Sequence, residues 1–157
     1  MIILGIDPGT TIIGYGIIEK NNNSLKLIDY GVIKTEKISQ SEKISIINKE
    51  LNKIIKKYNP AVAGIETLFF STNKKTALAV AEARGAIMLT LKQNSIPVRE
   101  FSPNNIKATV SGYGKSDKKS MEKVVSLSLG IKESDLPDDA FDALAVALRT
   151  SFDIQIR

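Results

Sequence analysis

Near its start the chain carries the run Ile2-Ile3-Leu4-Gly5-Ile6-Asp7, from which the first predicted element follows. It is a short apolar run that ends in an acid, which predicts a strand covered on both faces. A second strand is expected over Ile12–Glu19, where Gly14 and Gly16 indicate a close backbone approach or a bulge. A third strand, Leu25–Lys34, alternates in polarity, and the short connections favour antiparallel pairing among the three.

From about residue 41 the apolar residues recur at helical spacing, and the predicted helices alternate with short strands. In chain order these elements are a helix from about Ser41 to Asn59-Pro60, a strand Ala61–Glu66, a helix Lys74–Gln93, a strand Ile96–Phe101, a helical turn after Pro103, a helix Lys118–Leu129 capped by Ser116 or Asp117, and a helix from near Pro137 to about Ser151. The order implies an α/β fold with a mixed five-stranded sheet and helices on both faces. Three antiparallel strands come first and helix-linked strands follow. A length of 157 residues suits one domain, residues 1–157.

The composition restricts the possible chemistry. The chain has no cysteine and no histidine, which excludes disulfides, thiolate nucleophiles, Ser-His-Asp triads and the usual zinc sites. Catalysis must rest on carboxylates, lysines, hydroxyls or a hard metal held by oxygen. The net charge of +5 fits an anionic partner such as nucleic acid. No apolar run approaches the roughly 20 residues that span a bilayer, and a signal peptide is not evident. A soluble cytoplasmic protein with no membrane partner is therefore expected.

Four acids stand out by position. Asp7 and Glu66 close predicted strands that leave the same sheet edge if they are parallel neighbours, and Asp139 and Asp142 lie three residues apart on the last helix. Clustered carboxylates suit magnesium or manganese, and two such ions can activate water and stabilise a leaving oxygen in phosphodiester cleavage. Taken singly, each acid also fits a turn, a strand end or a solvated helix N-terminus. Helical spacing does not choose between Asp138 and Asp139 as the partner of Asp142.

Basic and aromatic residues provide candidate nucleic-acid contacts. Five lysines concentrate between the last strand and the following helix: Lys107, Lys115, Lys118, Lys119 and Lys123. Such a cluster can contact phosphates, although a lysine run is more often a solvated helix face. Leu68-Phe69-Phe70 follows Glu66, and an aromatic residue at this position either stacks on an unpaired base or belongs to the core.

The motifs are more informative together than singly. In chain order they are Asp7-Pro8-Gly9-Thr10 with Gly14-Tyr15-Gly16, Gly64-Ile65-Glu66 with Ala83-Arg84-Gly85, Gly112-Tyr113-Gly114 with Asp117-Lys118, and Asp139-Ala140-Phe141-Asp142-Ala143-Leu144-Ala145. Along essentially its whole length the chain resembles the RuvC family of crossover-junction endodeoxyribonucleases. The resemblance implies a ribonuclease H-like fold, with metal-binding catalytic acids at Asp7, Glu66, Asp139 and Asp142. It favours Asp139 over Asp138 because the family pattern is acid-Ala-x-Asp-Ala-Leu. Some relatives carry histidine where this chain has Asp139.

The same resemblance implies an activity and its partners. The expected enzyme is a homodimer that nicks two strands of like polarity in a four-way (Holliday) junction, leaving 5′-phosphate and 3′-hydroxyl ends, in DNA recombination and repair. Two magnesium ions, with manganese as a substitute, would serve each site. Lys107 and Lys118 match family positions that bind DNA, and Phe69 would meet DNA with Asn73 nearby. Family members work with the RuvA–RuvB branch-migration complex. Ala77, Ala81 and Gly85, which recur every four positions, are the candidate dimer contact.

Two alternatives belong to other functional classes. Gly5-Ile6-Asp7-Pro8-Gly9-Thr10-Thr11 also looks like the first phosphate loop of the actin, sugar-kinase and chaperone ATPases. However, the other Asp-x-Gly, at Asp29-Tyr30-Gly31, falls mid-strand, and the chain has no Gly-Gly pair for an adenosine loop and is too short. The second alternative is a non-catalytic junction- or RNA-binding module. The four acids argue against it, because a pure binder does not need negative charge near phosphates.

Overall fold

The computed structural model describes residues 1–22, 24–35, 38–67, 74–111, 118–131 and 136–154. Its elements are β1 (Ile2–Asp7), β2 (Ile12–Asn21), β3 (Ser24–Lys34), α1 (Gln40–Tyr58), β4 (Val62–Glu66), α2 (Lys74–Gln93), β5 (Val98–Phe101), α3 (Pro103–Ser111), α4 (Lys118–Leu129) and α5 (Asp138–Phe152). The predicted break at Gly112-Tyr113-Gly114 and the predicted N-cap at Ser116 or Asp117 lie outside the described residues. None of the helices in these ranges is long and apolar enough to cross a membrane.

The five strands form one mixed sheet in the order β3-β2-β1-β4-β5. The pairs β1–β2 and β2–β3 are antiparallel, whereas β1–β4 and β4–β5 are parallel, which confirms the predicted topology. In the parallel β1–β4 pair, Ile6 lies opposite Ile65. The next residues, Asp7 and Glu66, therefore end their strands side by side at one edge of the sheet.

Helices cover both faces of the sheet, as predicted. On one face, buried residues of α1 and α2, such as Ile47, Leu51 and Ile87, pack against Ile6 and Ile65. On the other face, buried residues of α3, α4 and α5 form a second cluster: Ile106, Met121, Val125, Leu129, Phe141, Leu144, Ala145, Val146, Ala147 and Leu148. Each face of the sheet is thus covered mainly by apolar side chains.

Helix α5 lies unusually close to the sheet. A β-carbon on Gly5 would overlap the backbone oxygen of Ala143, and a β-carbon on Gly14 would overlap that of Asp139. The sequence indicated a close backbone approach or a bulge at Gly14 but did not identify the element that approaches. In the structure that element is α5. Because every residue from Ala143 to Leu148 is fully buried, α5 is enclosed on nearly all sides along this stretch.

Several elements differ in extent from their predictions; β2, β3 and β4 do so by one or two residues at one end. The predicted helical turn after Pro103 is a full nine-residue helix, α3. Strand β5 begins at Val98 instead of Ile96, because the chain turns at the end of α2. Ser95 adopts a left-handed conformation with φ of 58°, and the N–H of Ile96 donates to the carbonyl of Leu91 at 3.0 Å. The N–H of Ile96 is therefore bonded to the end of α2 and does not take part in the sheet.

Candidate active site

Two of the predicted acids are fixed by adjacent parallel strands. Asp7 ends β1, where its backbone pairs with Gly14 of β2, and Glu66 ends β4, where it pairs with Phe101 of β5. The N–H of Thr67 donates to the carbonyl of Phe101 at 2.8 Å, which holds the chain in place just after Glu66. Both carboxylates are half-buried, so they lie at the boundary between the sheet and solvent.

The other two acids come from the first turns of α5. This helix begins at Asp138, with Pro137 as its N-cap, and its first turn contains both Asp138 and Asp139. Close packing of Asp139 against Gly14 brings the start of α5 to the end of β1, since Gly14 is the backbone partner of Asp7. Asp142 follows one turn later and is half-buried.

The electrostatic interactions show that the four acids share one neighbourhood. Burial, followed by the charges of Glu66, Asp142 and Asp139, raises the pKa of Asp7 to about 7, whereas the charge of Lys118 opposes the rise. Burial, followed by the charge of Asp142, likewise raises the pKa of Glu66 to about 7. The charge of Asp139 is among those that raise the pKa of Asp7, which places the Asp139 carboxylate within electrostatic reach of the end of β1.

Asp142 connects the acids to the basic residues. Burial raises the pKa of its carboxyl, and the ammonium of Lys118 is the largest opposing influence. The neighbouring charges of Asp138, Asp139 and Glu122 act in the same direction as burial. A carboxylate held among like charges is a good ligand for a cation, because cation binding relieves both the desolvation and the repulsion.

A cleft of about 230 Å³ brings acids and lysines from four elements together. Its lining contains Glu66 of β4, Lys107 of α3, Lys118 of α4 and Asp142 of α5, with apolar walls from Pro103, Ile106, Met121 and Ala145. Lys107 lowers the pKa of Glu66, which places its ammonium near that carboxylate. Lys119 and Lys123 are exposed on α4 and do not line the cleft.

The donor set fits a hard divalent cation by its chemistry, since it consists of carboxylate oxygens with no nitrogen or sulfur ligand. As positioned in the described part of the chain, however, the acidic side chains do not form a complete metal site. Among the described residues, no three acidic side chains approach closely enough to hold one ion together. The effects of neighbouring charges on the pKa values of Asp7, Glu66 and Asp142 indicate proximity, but such effects act over longer distances than a metal–ligand bond. Joint ligation of one ion therefore requires these carboxylates to move closer together than they are in this structure.

Asp138 contacts a basic residue that the sequence had linked to DNA. The ammonium of Lys118 donates to Oδ2 of Asp138 at 2.8 Å, and this interaction raises the pKa of Lys118. Helical spacing indicated Asp138 only as an alternative to Asp139, whereas its pairing with Lys118 depends on how α4 packs beside α5. Phe69, Asn73 and Lys115, which were also predicted to approach DNA, lie outside the described residues.

Comparison with known proteins identifies the family. The family model described as crossover junction endodeoxyribonuclease RuvC matches residues 3–150. The chain belongs to the RuvC family. A RuvC of this description from Fusobacterium nucleatum is 46% identical over 149 residues, covering 94% of this chain and 78% of that protein. The RuvC of Thermosipho melanesiensis is 46% identical over 148 residues, covering 94% of each chain.

RuvC structures also match the fold. The structure of T. thermophilus RuvC in complex with Holliday junction substrate has a TM-score of 0.91 and 28% sequence identity, and the match covers 98% of this chain and 94% of that one. The predicted ribonuclease H-like, α/β architecture is therefore confirmed, together with the assignment to a family of crossover junction endodeoxyribonucleases. RuvC membership also implies that catalysis depends on a divalent metal.

Proposed function

We propose that this RuvC chain resolves four-way DNA junctions by nicking two strands of like polarity at symmetric positions, leaving 5′-phosphate and 3′-hydroxyl ends. This reaction would serve recombination and repair in the cytoplasm. The observation that carries the proposal is the cleft in which Glu66 and Asp142 face Lys107 and Lys118. The acids supply oxygen ligands and the lysines supply phosphate contacts. One cleft can thus hold both the cations and the backbone of the scissile strand.

Asp7, Glu66, Asp139 and Asp142 are the proposed catalytic acids and the ligands of two magnesium ions, for which manganese can substitute. When bound, these ions would lower the pKa of the attacking water and stabilise the departing 3′-oxygen. The chain's own contribution is to keep the carboxylates at fixed strand and helix ends. Burial beside Ile6 and Ile65, both fully buried, limits how far the β1 and β4 ends can move.

The DNA-binding residues of the proposal are Lys107, Lys118, Phe69 and Asn73. Support from the structure comes from the two lysines, whose side chains line the cleft. Contacts from lysine to phosphate provide affinity without sequence information, and they suit an enzyme that selects a DNA shape. Phe69 and Asn73 stay predictions based on the family resemblance.

A homodimer is the proposed assembly, because a two-fold symmetric enzyme matches the two-fold symmetry of a four-way junction. The support for this assembly comes from one face of α2. Leu78 and Leu89 are 69% and 58% exposed, and Gly85, at compatible helical spacing between them, has open space around it. Two exposed leucines with a small residue between them allow a second helix to approach closely, and the exposed Glu82 shares this face. The RuvA–RuvB complex is a further proposed partner, on the family resemblance alone.

The decisive experiment compares a synthetic four-way junction with linear duplex of the same sequence. In magnesium buffer we expect paired nicks in the junction and no cleavage of the duplex, with products that DNA ligase seals. In calcium buffer we expect junction binding without nicking. Junction binding in both buffers with no nicking in either would instead identify a non-catalytic binding module. Equal cleavage of junction and duplex would contradict structure selectivity.

A further inference from the structure

The hydrogen-bond partner of Lys118 is an acid that is not one of the predicted metal ligands. The lysine ammonium donates to Oδ2 of Asp138 at 2.8 Å, whereas Asp142, also on α5, interacts with the same ammonium only through its charge. Asp138 and Lys118 are 20 residues apart in the chain, so the contact exists because α4 packs beside the start of α5. Without Asp138, the remaining acid of α5 whose charge acts on this ammonium is Asp142, one turn further along the helix.

The ion pair lies at the mouth of the cleft. The side chain of Asp138 is 81% exposed and that of Lys118 is 47% exposed, although Lys118 also lines the cleft beside Asp142. An ion pair in water contributes little to stability, because solvation of the separated charges nearly compensates for their attraction. A phosphate that enters the cleft can therefore replace Asp138 as the partner of this ammonium.

We propose that Asp138 is a positioning residue that holds the Lys118 ammonium at the cleft mouth. When the junction binds, a backbone phosphate replaces Asp138 as the partner of this ammonium. The inference rests on the proposed function, because it requires DNA to occupy the cleft. Asp138 then competes with phosphate for Lys118, and its own charge is left unpaired when DNA binds. It thus weakens junction binding and takes no part in the chemical step.

The test replaces Asp138 with asparagine and measures junction binding in calcium and cleavage in magnesium. We expect Asp138→Asn to lower the Kd by about two- to fivefold, as follows from the energy range of an exposed ion pair. The KM should fall by a similar factor with kcat unchanged, because Asp138 no longer holds Lys118 once DNA is bound. The salt dependence of binding should become steeper by up to about one counterion.

Glu122 offers a matched control. It lies four residues after Lys118 on α4 and influences that lysine by charge alone, without a hydrogen bond. Glu122→Gln therefore removes the same charge from the same region, and we expect a smaller gain in affinity than with Asp138→Asn. In a Lys118→Ala background, the effect of Asp138→Asn should shrink to that of Glu122→Gln. Asp138→Glu, which keeps the charge, should bind like the wild type.

Several results would overturn the inference. They are unchanged or weaker binding by Asp138→Asn, a changed kcat, or a gain of the same size after Lys118→Ala. Asp138→Ser serves as a second neutral variant, and thermal unfolding of both variants checks that folding is intact. Failure of the proposed function looks different, because the wild type itself would then leave the junction uncut. A wild type that cuts, combined with an Asp138→Asn variant that does not bind more tightly, rejects only the inference.

Discussion

Gly14 packs so tightly against Asp139 that a β-carbon on residue 14 would overlap the backbone carbonyl oxygen of Asp139. This contact joins β2 to the start of α5, and the backbone partner of Gly14 in the sheet is Asp7. Two predicted metal ligands that are far apart in the chain, Asp7 and Asp139, are thus linked through one glycine. The position of α5, which carries two of the proposed catalytic acids, therefore depends on a residue that has no side-chain functional group.

Gly14→Ala should therefore reduce both stability and cleavage. Because the overlap involves backbone atoms, α5 or β2 must shift, at a cost of about 1–3 kcal/mol or more in the free energy of unfolding. Cleavage of the junction should fall further than this loss of folded protein explains, since the shift moves Asp139. Urea unfolding measures the loss of stability. Junction cleavage, assayed under conditions in which the variant is folded, measures the loss of activity.

Gly85→Ala is the matched control for that substitution. Gly85 lies within α2, and nothing lies within 4 Å of the place where its β-carbon would be. Alanine should leave stability unchanged or raise it by up to about 1 kcal/mol through helix propensity. If Gly14→Ala and Gly85→Ala behaved alike, close packing of α5 against β2 would not be what requires glycine at position 14.

The sequence predicted what local periodicity encodes and missed what depends on tertiary packing. Alternating and helical spacing predicted the order of strands and helices, and Gly14 indicated a close approach. The enclosure of α5 was not predictable, because its alanines fit either a half-exposed helix or a buried one. The pairing of Lys118 with Asp138 was missed for a related reason. It depends on where two helices meet, and the signal in the sequence was only a second acid beside Asp139.

Asp7→Asn should abolish cleavage and leave junction binding largely intact. Asparagine keeps the size of the side chain but removes the negative charge that a divalent cation requires from its ligand. Binding should persist because Lys107 and Lys118, which contact phosphate in our proposal, are unchanged. Gel-shift titration in calcium and cleavage in magnesium separate the two properties. Equal loss of both would mean that Asp7 serves the structure of the site instead of its chemistry.

Without divalent metal, the folded protein should lose stability as the pH rises from about 4 to 7. Free aspartate and glutamate side chains titrate near pH 4, whereas the pKa values of Asp7 and Glu66 in the folded protein are about 7. Between these values the folded state retains protons that the unfolded chain has released. Deprotonation therefore favours unfolding, and the stabilisation present at low pH is lost as the pH passes through 7.

Urea midpoints measured in chelator across this pH range test the linkage. Other titrating groups also contribute, so the informative quantity is the difference between the wild type and Asp7→Asn. We expect the variant to lose less stability with rising pH, because it removes one raised pKa and one repulsive charge near Glu66. Parallel curves for the two proteins would show that the Asp7 carboxyl is not perturbed by its surroundings.

Lys107→Ala and Lys118→Ala should each flatten the salt dependence of junction binding by about one counterion. Both ammonium groups lie in the cleft, where a lysine that neutralises a phosphate releases one condensed cation. Lys26→Ala is the control. Lys26 is exposed on β3, and its position in the sheet is opposite Glu19 of β2, at the end of the strands away from Asp7. An unaltered slope in either cleft variant would remove that lysine from the DNA interface.

Gly85→Trp should weaken the homodimer. In our proposal Gly85 lies at the centre of the α2 contact, between the exposed Leu78 and Leu89, and an indole there would hold the two helices apart. We expect the dissociation constant of the dimer to rise at least about tenfold, which corresponds to about 1.4 kcal/mol. Light scattering over a range of protein concentrations measures it.

Lys56→Trp provides the control for that experiment, because it adds the same side chain at an exposed position of α1. Its association should match the wild type, which separates a specific effect at α2 from the general effect of a surface tryptophan. Since the junction presents two cleavage sites, a monomeric Gly85→Trp variant should also cut the strands independently, giving singly nicked intermediates. A Gly85→Trp protein that stays dimeric would show that the two copies associate through another surface.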